Sequence, residues 1–297
     1  MLTMNKNTFK TYVLLAGLAG LLILFGRLIF GPSGAVLGLF LGLAVVGGSY
    51  WFSDKIAIKA ARAVPASEAE YPDYYRTMRE VSDRMRLPMP KLYVTPDLQP
   101  NAFATGRNPE HAAVAVTQGI LQILEPSELR GVLAHEMSHV GNRDILIGSV
   151  AAAIATGISF IANIAMWGAM FGGHRDDREG GNPFAVLLLA ILAPMAAGLL
   201  QMALSRSREF EADRSGAQLI GDGEPLARAL LKLDEATRRI PMNVQPAQAQ
   251  KYIVNPLAGR KINFAQLFTT HPPTEARVER LRSMRISGPA GQGGLIR

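Results

Sequence analysis

The sequence predicts a mainly helical α+β protein of the integral membrane class, with two hydrophobic helical hairpins and a domain outside the bilayer that holds a small β-sheet. Three observations lead to this fold class. Four long stretches of the 297-residue chain are strongly apolar, amphipathic helix patterns fill much of the remainder, and two short segments are rich in β-forming residues. The hydrophobic residues, 48% of the total, are therefore concentrated in blocks.

The first hydrophobic hairpin is predicted at residues 12–30 and 34–52. Each stretch has 19 residues, which as a helix measures about 28 Å and is close to the hydrocarbon thickness of a bilayer. The intervening Gly31-Pro32-Ser33 leaves room only for a turn. A removable signal peptide fits poorly, because the apolar part is too long and a second span follows at once.

A second hairpin is predicted at residues 145–171 and 183–204, which contain no charged residue. The alternative is a pair of apolar helices in the core of a soluble domain. Lysine and arginine residues border the spans near both termini and in the middle segment, whereas the loop 172–182 carries only Arg175 and Arg178. The positive-inside rule then places both termini and the middle segment in the cytoplasm.

The formal net charge of +7 and the pI near 9.8 raise the question of nucleic acid binding. Much of the basic excess borders the predicted spans, where it would meet anionic lipid, and no nucleic-acid motif is present. We therefore expect the lipid bilayer as a partner and no nucleic acid.

The segment between the hairpins is predicted to begin with a helix and to continue into a small sheet. Residues 67–85 carry apolar side chains at a spacing of three to four, which predicts an amphipathic helix. Residues 91–97 and 111–117 are bounded by Pro, Gly and Asn, which predicts two strands connected by residues 101–110. An exposed strand edge near residues 113–117 would let an extended peptide add as a further strand.

Three more helices are predicted along the chain. Glu125 can cap a helix whose first turn holds Pro126 and Glu128, where a carboxylate complements the helix dipole. Amphipathic patterns predict the other two, at residues 224–239 and 272–285.

The predicted helix that begins near Pro126 carries the first chemical motif. His135 and His139 are four positions apart, so both imidazoles project from one face and can hold one ion. Glu136 lies beside them, where it can reach a water on that ion. This HExxH pattern suits zinc, which in hydrolytic sites takes three protein ligands. A third ligand is therefore required. The pattern also arises by chance on surface helices, so it does not establish a metal site by itself.

The segment "SRSREFEAD" supplies a candidate for that third ligand. Glu209 and Asp213 are again four positions apart, directly after the fourth apolar stretch, and a second helix can bring Glu209 to the ion. The chain has no cysteine, so every metal ligand must be a histidine or a carboxylate.

Four separated segments together resemble a known family. The segments "PNAFATG", "HEMSHVGNRD", "SRSREFEAD" and "FTTHPPTEARVERL" occur in this order, with two hydrophobic hairpins in the matching places. They resemble the HtpX heat-shock family of bacterial membrane zinc metalloproteases, which are distant relatives of the eukaryotic CAAX prenyl endopeptidases. The resemblance covers nearly the whole chain, apart from the C-terminal tail and the loop near residues 172–182.

The resemblance implies a role for each matching residue. His135, His139 and Glu209 would be the ligands of one zinc ion per chain, and Glu136 would be the general base. Asp213 would orient one histidine by accepting a hydrogen bond from its other ring nitrogen, as carboxylates beside metal-bound imidazoles do.

Two further assignments rest on the resemblance and keep an alternative. His271 would lie near the metal and stabilise the oxyanion, although a histidine before two prolines also suits a packed position at a helix entry. Asn101 would lie near the substrate cleft, where it can bond a peptide backbone or cap a turn. Three other residues have no partner pattern and are interpreted as loop or surface residues: His111, His174 and Glu211.

The implied function is hydrolysis of peptide bonds in misfolded or misassembled membrane proteins, as part of quality control under stress. The implied location is the bacterial cytoplasmic membrane, with several spans and the active site on the cytoplasmic side. One alternative is an intramembrane protease of the site-two type, which takes its third ligand from an aspartate in a later span. Another is a catalytically inactive membrane scaffold that uses the metal for folding.

The predicted organisation has five segments: an N-terminal transmembrane hairpin, the first part of a zincin-like protease domain with the HExxH helix, a second hydrophobic hairpin, the second part of the protease domain, and a flexible tail. Their boundaries are 1–64, 65–144, 145–204, 205–285 and 286–297.

Overall fold

The computed structural model describes three continuous ranges, residues 54–143, 206–239 and 272–284. It also describes the isolated positions Gly20, Ile23, Val36, Leu39, Phe40, Ala44, Gly48, Trp51, Phe52 and Ile253. Among these residues, no helix is both long enough and apolar enough to cross a membrane. The four predicted spans lie outside the continuous ranges, so both hairpins stay predictions.

The chain divides into two compact units. One consists of Met1–Ser53 and Leu146–Leu204, and the other of Asp54–Ile145 and Ser205–Arg297. All the helices and strands named below belong to the second unit. The five-segment organisation stays a prediction.

The described part of the second unit is mainly helical, with one small mixed sheet. A helical segment at residues 54–60 precedes the elements, and a 3-10 turn at Pro109–His111 joins two strands. The elements in chain order are β1 (Val64–Pro65), α1 (Pro72–Met85), β2 (Lys91–Thr95), β3 (Ala102–Gly106), β4 (Ala112–Thr117), α2 (Gln118–Ile123), α3 (Pro126–Gly141), α4 (residues 206–220), α5 (Glu224–Arg239) and α6 (Thr274–Ser283).

The sheet has the strand order β1-β2-β4-β3. Strand β4 runs parallel to β2 and antiparallel to β3, with Phe103 opposite Ala115. The prediction of strands near residues 91–97 and 111–117 is confirmed, but the prediction that residues 101–110 are only a connection was wrong. Ala102–Gly106 is a strand, because its backbone pairs along the whole length of β4.

This strand order also changes the prediction of a free edge. The stretch 113–117 lies in β4, which is paired on both sides and buried along its length. In the described part of the chain the edge strands of the sheet are β1 and β3, so the expected edge at residues 113–117 was wrong.

Apolar side chains cover both faces of the sheet. Val114 and Val116 point to one face and join a core that includes Leu133. Ala115 points to the opposite face, where it packs with Phe103 and with Ala57 of the helical segment 54–60. Alternate residues of β4 thus enter two separate clusters, as the period of two in a strand requires.

Helix α1 begins five residues later than the pattern predicts. Residue Tyr71 closes a turn through its N–H to the carbonyl of Ser67 at 2.9 Å, and Pro72 then occupies the first helical turn, where a missing N–H costs nothing. The predicted apolar face is confirmed, with Tyr74 and Met78 buried against the core.

Helix α3 starts as predicted, at Pro126. The backbone N–H of Glu125 donates to Oε2 of Glu128 at 3.0 Å, as in a capping box. Lys232 of α5 places its Nζ 2.7 Å from the same oxygen, so the buried Glu128 carboxylate is compensated. This contact also ties the start of α3 to α5.

Two glycines allow helices to approach α3 closely. A Cβ at Gly131 would lie 2.8 Å from the backbone nitrogen of Leu226 in α5. A Cβ at Gly216 of α4 would lie 3.0 Å from the backbone nitrogen of His135. A side chain at position 131 would therefore force α5 to shift, and one at position 216 would make an unusually tight contact with the backbone of α3.

We expect Gly131→Ala to lower the free energy of unfolding by about 1–3 kcal/mol, because the new methyl group overlaps backbone atoms that cannot rotate away. Gly141→Ala is the matched control on the same helix, since its Cβ meets only the ends of the Leu87 and Met85 side chains. That control gains helix propensity of up to about 1 kcal/mol. Thermal unfolding of the purified variants measures both changes, and equal stability of the two would contradict the packing argument.

Candidate metal centre

Three side chains converge on one point next to α3. The Nε2 atoms of His135 and His139 lie 3.2 Å apart. Of the two carboxylate oxygens of Glu209 on α4, Oε2 lies 3.6 Å from Nε2 of His135 and Oε1 lies 3.5 Å from Nε2 of His139. The structure therefore brings together the two histidines and the glutamate that the sequence singles out.

The spacing of these donor atoms fits a tetrahedral metal ion. Ligands at zinc distances of about 2.0–2.2 Å, arranged tetrahedrally, place neighbouring donors about 3.3–3.6 Å apart. The two imidazole nitrogens are 3.2 Å apart, and they lie 3.6 and 3.5 Å from the two different oxygens of the Glu209 carboxylate. With one donor atom taken from each residue, all three donors lie within 4.8 Å of one another. Zinc accepts this ligand set with a fourth position left for water or substrate.

Two local features of the chain produce this convergence. The spacing of four puts His135 and His139 on one face of α3, one turn apart. Glu209 lies about two turns before Gly216 on α4, and the close approach at Gly216 brings that helix onto the backbone of His135. The helix-to-helix distance thus determines how far Glu209 reaches toward the histidines.

Asp213 lies behind His135, on the side away from the other ligands. Its Oδ1 is 2.9 Å from Nδ1 of His135, so the ring nitrogen that does not face Glu209 meets a carboxylate. Burial raises the pKa of Asp213, but the neighbouring Arg277 and His135 outweigh it and lower the pKa to about 2. Burial lowers the pKa of His135, and the bonds to Asp213 and Glu209 more than reverse this, so that it is raised.

Glu136 projects from α3 toward β3. Its Oε2 accepts a hydrogen bond of 2.9 Å from the backbone N–H of Ala104, and the side chain is buried. Burial raises the pKa of Glu136, and the charges of His135 and His139 only partly oppose this. A raised carboxyl pKa makes this glutamate a stronger proton acceptor near neutral pH.

Asn101 is buried directly before β3 and joins two parts of the chain. Its Oδ1 accepts a hydrogen bond of 3.0 Å from the backbone N–H of Ile253. Its own backbone N–H donates to Oγ1 of Thr117 at 2.9 Å. The bond to Ile253 uses the side-chain oxygen within the chain, and contact of Asn101 with a substrate stays a prediction.

The remaining sequence assignments have different outcomes. His271 and His174 lie outside the described residues. His111 is exposed and bonds to Asn108 at 2.7 Å, and Glu211 is exposed and pairs with Arg214 at 2.8 Å. Both contacts agree with the interpretation of these two residues as surface groups.

The sequence interpretation missed Arg277, which is buried beside Asp213. A signal for it was present, because Val278 and Leu281 define the core-facing side of α6 and Arg277 belongs to the same side. A charged residue at a core-facing helix position indicates a buried partner.

The fold and the site define a metalloprotease of the HExxH class, because two histidines one turn apart, an intervening glutamate and a carboxylate from a second helix converge beside a mixed sheet. The sequence profile described as Peptidase family M48 matches residues 68–285. The chain belongs to peptidase family M48.

Relatives extend the match over almost the full chain. A "Protease HtpX homolog" of Pelotomaculum thermopropionicum is 54% identical and covers 94% of this chain and 100% of the relative. The protein of the same name from Syntrophobacter fumaroxidans is 51% identical, and the match covers 94% of this chain and 99% of the relative. The one from Ralstonia pickettii is 48% identical, and the match covers 95% of this chain and 98% of the relative. The resemblance drawn from the four sequence motifs is confirmed.

A solved structure has a similar fold. The crystal structure of S. mikatae Ste24p superposes with a TM-score of 0.54 at 18% identity, over 92% of this chain. This chain spans 64% of the length of that protein. The likeness concerns the fold alone.

We expect Glu209→Gln to weaken zinc binding by more than the roughly 10–100-fold typical of partners outside the ligand set, because a neutral amide replaces the only carboxylate among the three donors. Glu211→Gln is the matched control, since that side chain lies on the same helix and pairs at the surface with Arg214. Metal analysis and chelator competition measure the zinc content and zinc affinity of both variants. Equal zinc affinity of the Glu209 variant and wild type would contradict the ligand assignment.

Proposed function

We propose that this protein is a membrane-anchored, zinc-dependent endopeptidase that cleaves misfolded or misassembled membrane proteins at the cytoplasmic face of the bacterial cytoplasmic membrane. The observation that carries the proposal is the convergence of His135, His139 and Glu209, with donor separations of 3.2 to 3.6 Å, next to a buried Glu136. One zinc ion per chain would be held by these three residues.

A bound zinc ion supplies Lewis acidity, which lowers the pKa of water toward neutrality and polarises a carbonyl group. Glu136 then takes the proton of the attacking water and delivers it to the leaving amine. The bond from the Ala104 N–H fixes the Glu136 carboxylate, and burial keeps its pKa raised. Asp213 holds His135 in one ring orientation through Nδ1, which leaves Nε2 for the metal.

Strand β3 is the expected peptide-binding element. It is one of the two edge strands of the described sheet, and the backbone N–H of Ala104 points away from β4 toward Glu136. An extended peptide that adds along this edge would lie beside the general base. Backbone pairing reads little side-chain sequence, which favours unfolded or loosened substrates.

His271 is proposed to stabilise the oxyanion, with one supporting feature. It precedes Pro272 and Pro273, directly before α6, and α6 carries Arg277 into the interior beside Asp213. His271 is therefore six positions before a residue that contacts Asp213 at the metal centre.

The membrane assignment rests on the order of the segments. A predicted hydrophobic hairpin separates His139 from Glu209 by 70 positions. The histidine pair and the third donor nevertheless come together, so assembly of the site would draw both cytoplasmic segments to the bilayer surface. Misassembled membrane proteins or their cytoplasmic loops are the substrates that reach such a site.

Neither alternative function receives support from a particular observation. A site-two protease takes its third ligand from an aspartate within a span, whereas the carboxylate beside the histidines is Glu209, after the apolar stretch. A metal-stabilised scaffold predicts zinc without hydrolysis, and the two experiments below separate it from a peptidase.

Removal of the metal should abolish cleavage. We expect detergent-purified protein to contain about one zinc per chain, to lose casein cleavage after chelation, and to regain it when zinc is restored. Metal analysis on the same samples links activity to zinc content. Full cleavage by metal-free protein would contradict the proposal, and zinc without any cleavage would favour the scaffold.

Glu136→Gln should keep zinc and lower casein cleavage by about 10²–10⁴-fold, because the amide cannot accept the proton of water. Asp222→Asn is a suitable control for a carboxylate change, since Asp222 lies in an exposed turn before α5. Zinc content and turnover are measured on both variants. Full turnover by the Glu136 variant would refute its role as general base.

A further inference from the structure

Arg277 is a buried ionic group that the proposed mechanism does not use. It is the largest of the fully buried side chains in the described part of the chain, with 1% of its surface exposed. Burial of a guanidinium group is costly unless its N–H groups and its charge are both satisfied. Its retention in the core therefore calls for a specific set of partners.

The partners of Arg277 lie in two directions. Toward the metal centre, its Nε and Nη2 donate to the two carboxylate oxygens of Asp213 at 2.8 and 2.7 Å. In the other direction, its Nη1 donates to the backbone carbonyl of Ile253 at 2.6 Å. The same Nη1 lies 3.7 Å from Oε2 of Glu209.

The contact with Asp213 acts on a candidate metal ligand. Oδ1 of Asp213 accepts from Arg277 and also lies 2.9 Å from Nδ1 of His135. Two parallel hydrogen bonds from a planar guanidinium fix both the position and the plane of a carboxylate. The carboxylate that faces Nδ1 of His135 is therefore held in position from α6.

The contact with Ile253 acts on the start of the edge strand. Ile253 uses its N–H to bond Oδ1 of Asn101 at 3.0 Å and its carbonyl to bond Arg277. Asn101 directly precedes β3 and is also bonded to Thr117 at the end of β4. A continuous path of hydrogen bonds thus joins Arg277 to the beginning of β3.

We infer that Arg277 is a positioning residue of the metal centre. Through Nε and Nη2 it fixes Asp213 against His135. Through Nη1, its second arm, it fixes the Ile253 backbone against Asn101 at the start of β3. The inference rests on the proposed function, because it assumes that His135 binds the metal and that β3 binds the peptide. It adds a residue of α6 that sets the geometry of both without contacting either the metal or the substrate.

Only arginine provides this arrangement. Its planar group carries five N–H donors in fixed directions, so it can bond two carboxylate oxygens and a carbonyl at once. Lysine supplies the charge from a single nitrogen and cannot hold the plane of the carboxylate. Arg277→Lys therefore tests geometry at constant charge, and Arg277→Gln removes the charge as well.

The test measures zinc affinity by chelator competition on the full-length protein in detergent, and the visible absorption spectrum after substitution with cobalt. We expect Arg277→Gln to weaken zinc binding by up to about 10–100-fold, the range for losing the carboxylate partner of a metal-bound histidine, because Arg277 acts through that carboxylate. Arg277→Lys should show a smaller but measurable loss, and both variants should alter the cobalt spectrum.

Arg282→Gln is the matched control. Arg282 lies on the same helix and also makes two hydrogen bonds to one carboxylate, that of Glu224, at 3.0 and 2.9 Å. That pair is exposed and is not part of the site. We expect its loss to leave zinc affinity and the cobalt spectrum unchanged.

A double-mutant cycle with Asp213→Asn distinguishes positioning from general stability. If Arg277 acts on the metal through Asp213, its replacement should add little to the loss of zinc affinity that Asp213→Asn already causes. Additive losses, or wild-type zinc affinity and an unchanged cobalt spectrum in both Arg277 variants, would overturn the inference. Should Arg277→Gln fail to fold, Arg277→Lys and the cycle built on it decide the matter.

The proposed function fails differently, because wild-type protein would then bind no zinc in the same assay, or would bind zinc without cleaving casein. A further readout concerns the second arm of Arg277. Since that arm supports β3, Arg277→Lys at saturating zinc should raise KM for a casein-derived peptide, whereas Arg282→Gln should not. An unchanged KM would overturn the part of the inference that concerns β3.

Discussion

The close backbone approach of α4 to α3 at Gly216 is the constraint on which the metal centre depends. His135 and His139 both belong to α3, but Glu209 belongs to a helix about 70 residues further along the chain. Because a Cβ at Gly216 would lie 3.0 Å from the backbone nitrogen of His135, the two helices pack closely at this position. Glu209 and Asp213 then reach opposite nitrogens of the same imidazole ring. A wider spacing between α3 and α4 would move both carboxylates away from His135.

The residues predicted from the sequence are those whose geometry is local. A spacing of four on one helix predicts His135 with His139, and the same spacing predicts Glu209 with Asp213, because both are properties of a single α-helix. The start of α3 was also predictable, since Pro126 and Glu128 are local signals for a helix N-terminus.

The features that the sequence interpretation missed depend on contacts between distant segments. Strand β3 combines two residues that favour strands, Phe103 and Thr105, with two alanines and a glycine that do not, and pairing with β4 makes the whole segment a strand. Arg277 stands in an ordinary amphipathic pattern, and its importance appears only when Asp213 is placed beside it. The apolar spacing of α6 indicates that Arg277 faces the core, but no local pattern identifies its partner Asp213, 64 positions away, or pairs β3 with β4.

The buried charges around His135 have a consequence for the kind of ion that the site can hold. Glu136, Glu209 and Asp213 contribute three negative charges in their ionised forms, and Arg277 contributes one positive charge. The group as a whole therefore carries two formal negative charges in an interior where uncompensated charge is costly. A dication gives electroneutrality, whereas sodium or potassium would leave one unit of excess charge. The formal charge of these buried side chains therefore favours a divalent over a monovalent ion, and the imidazole nitrogens then favour particular divalent metals.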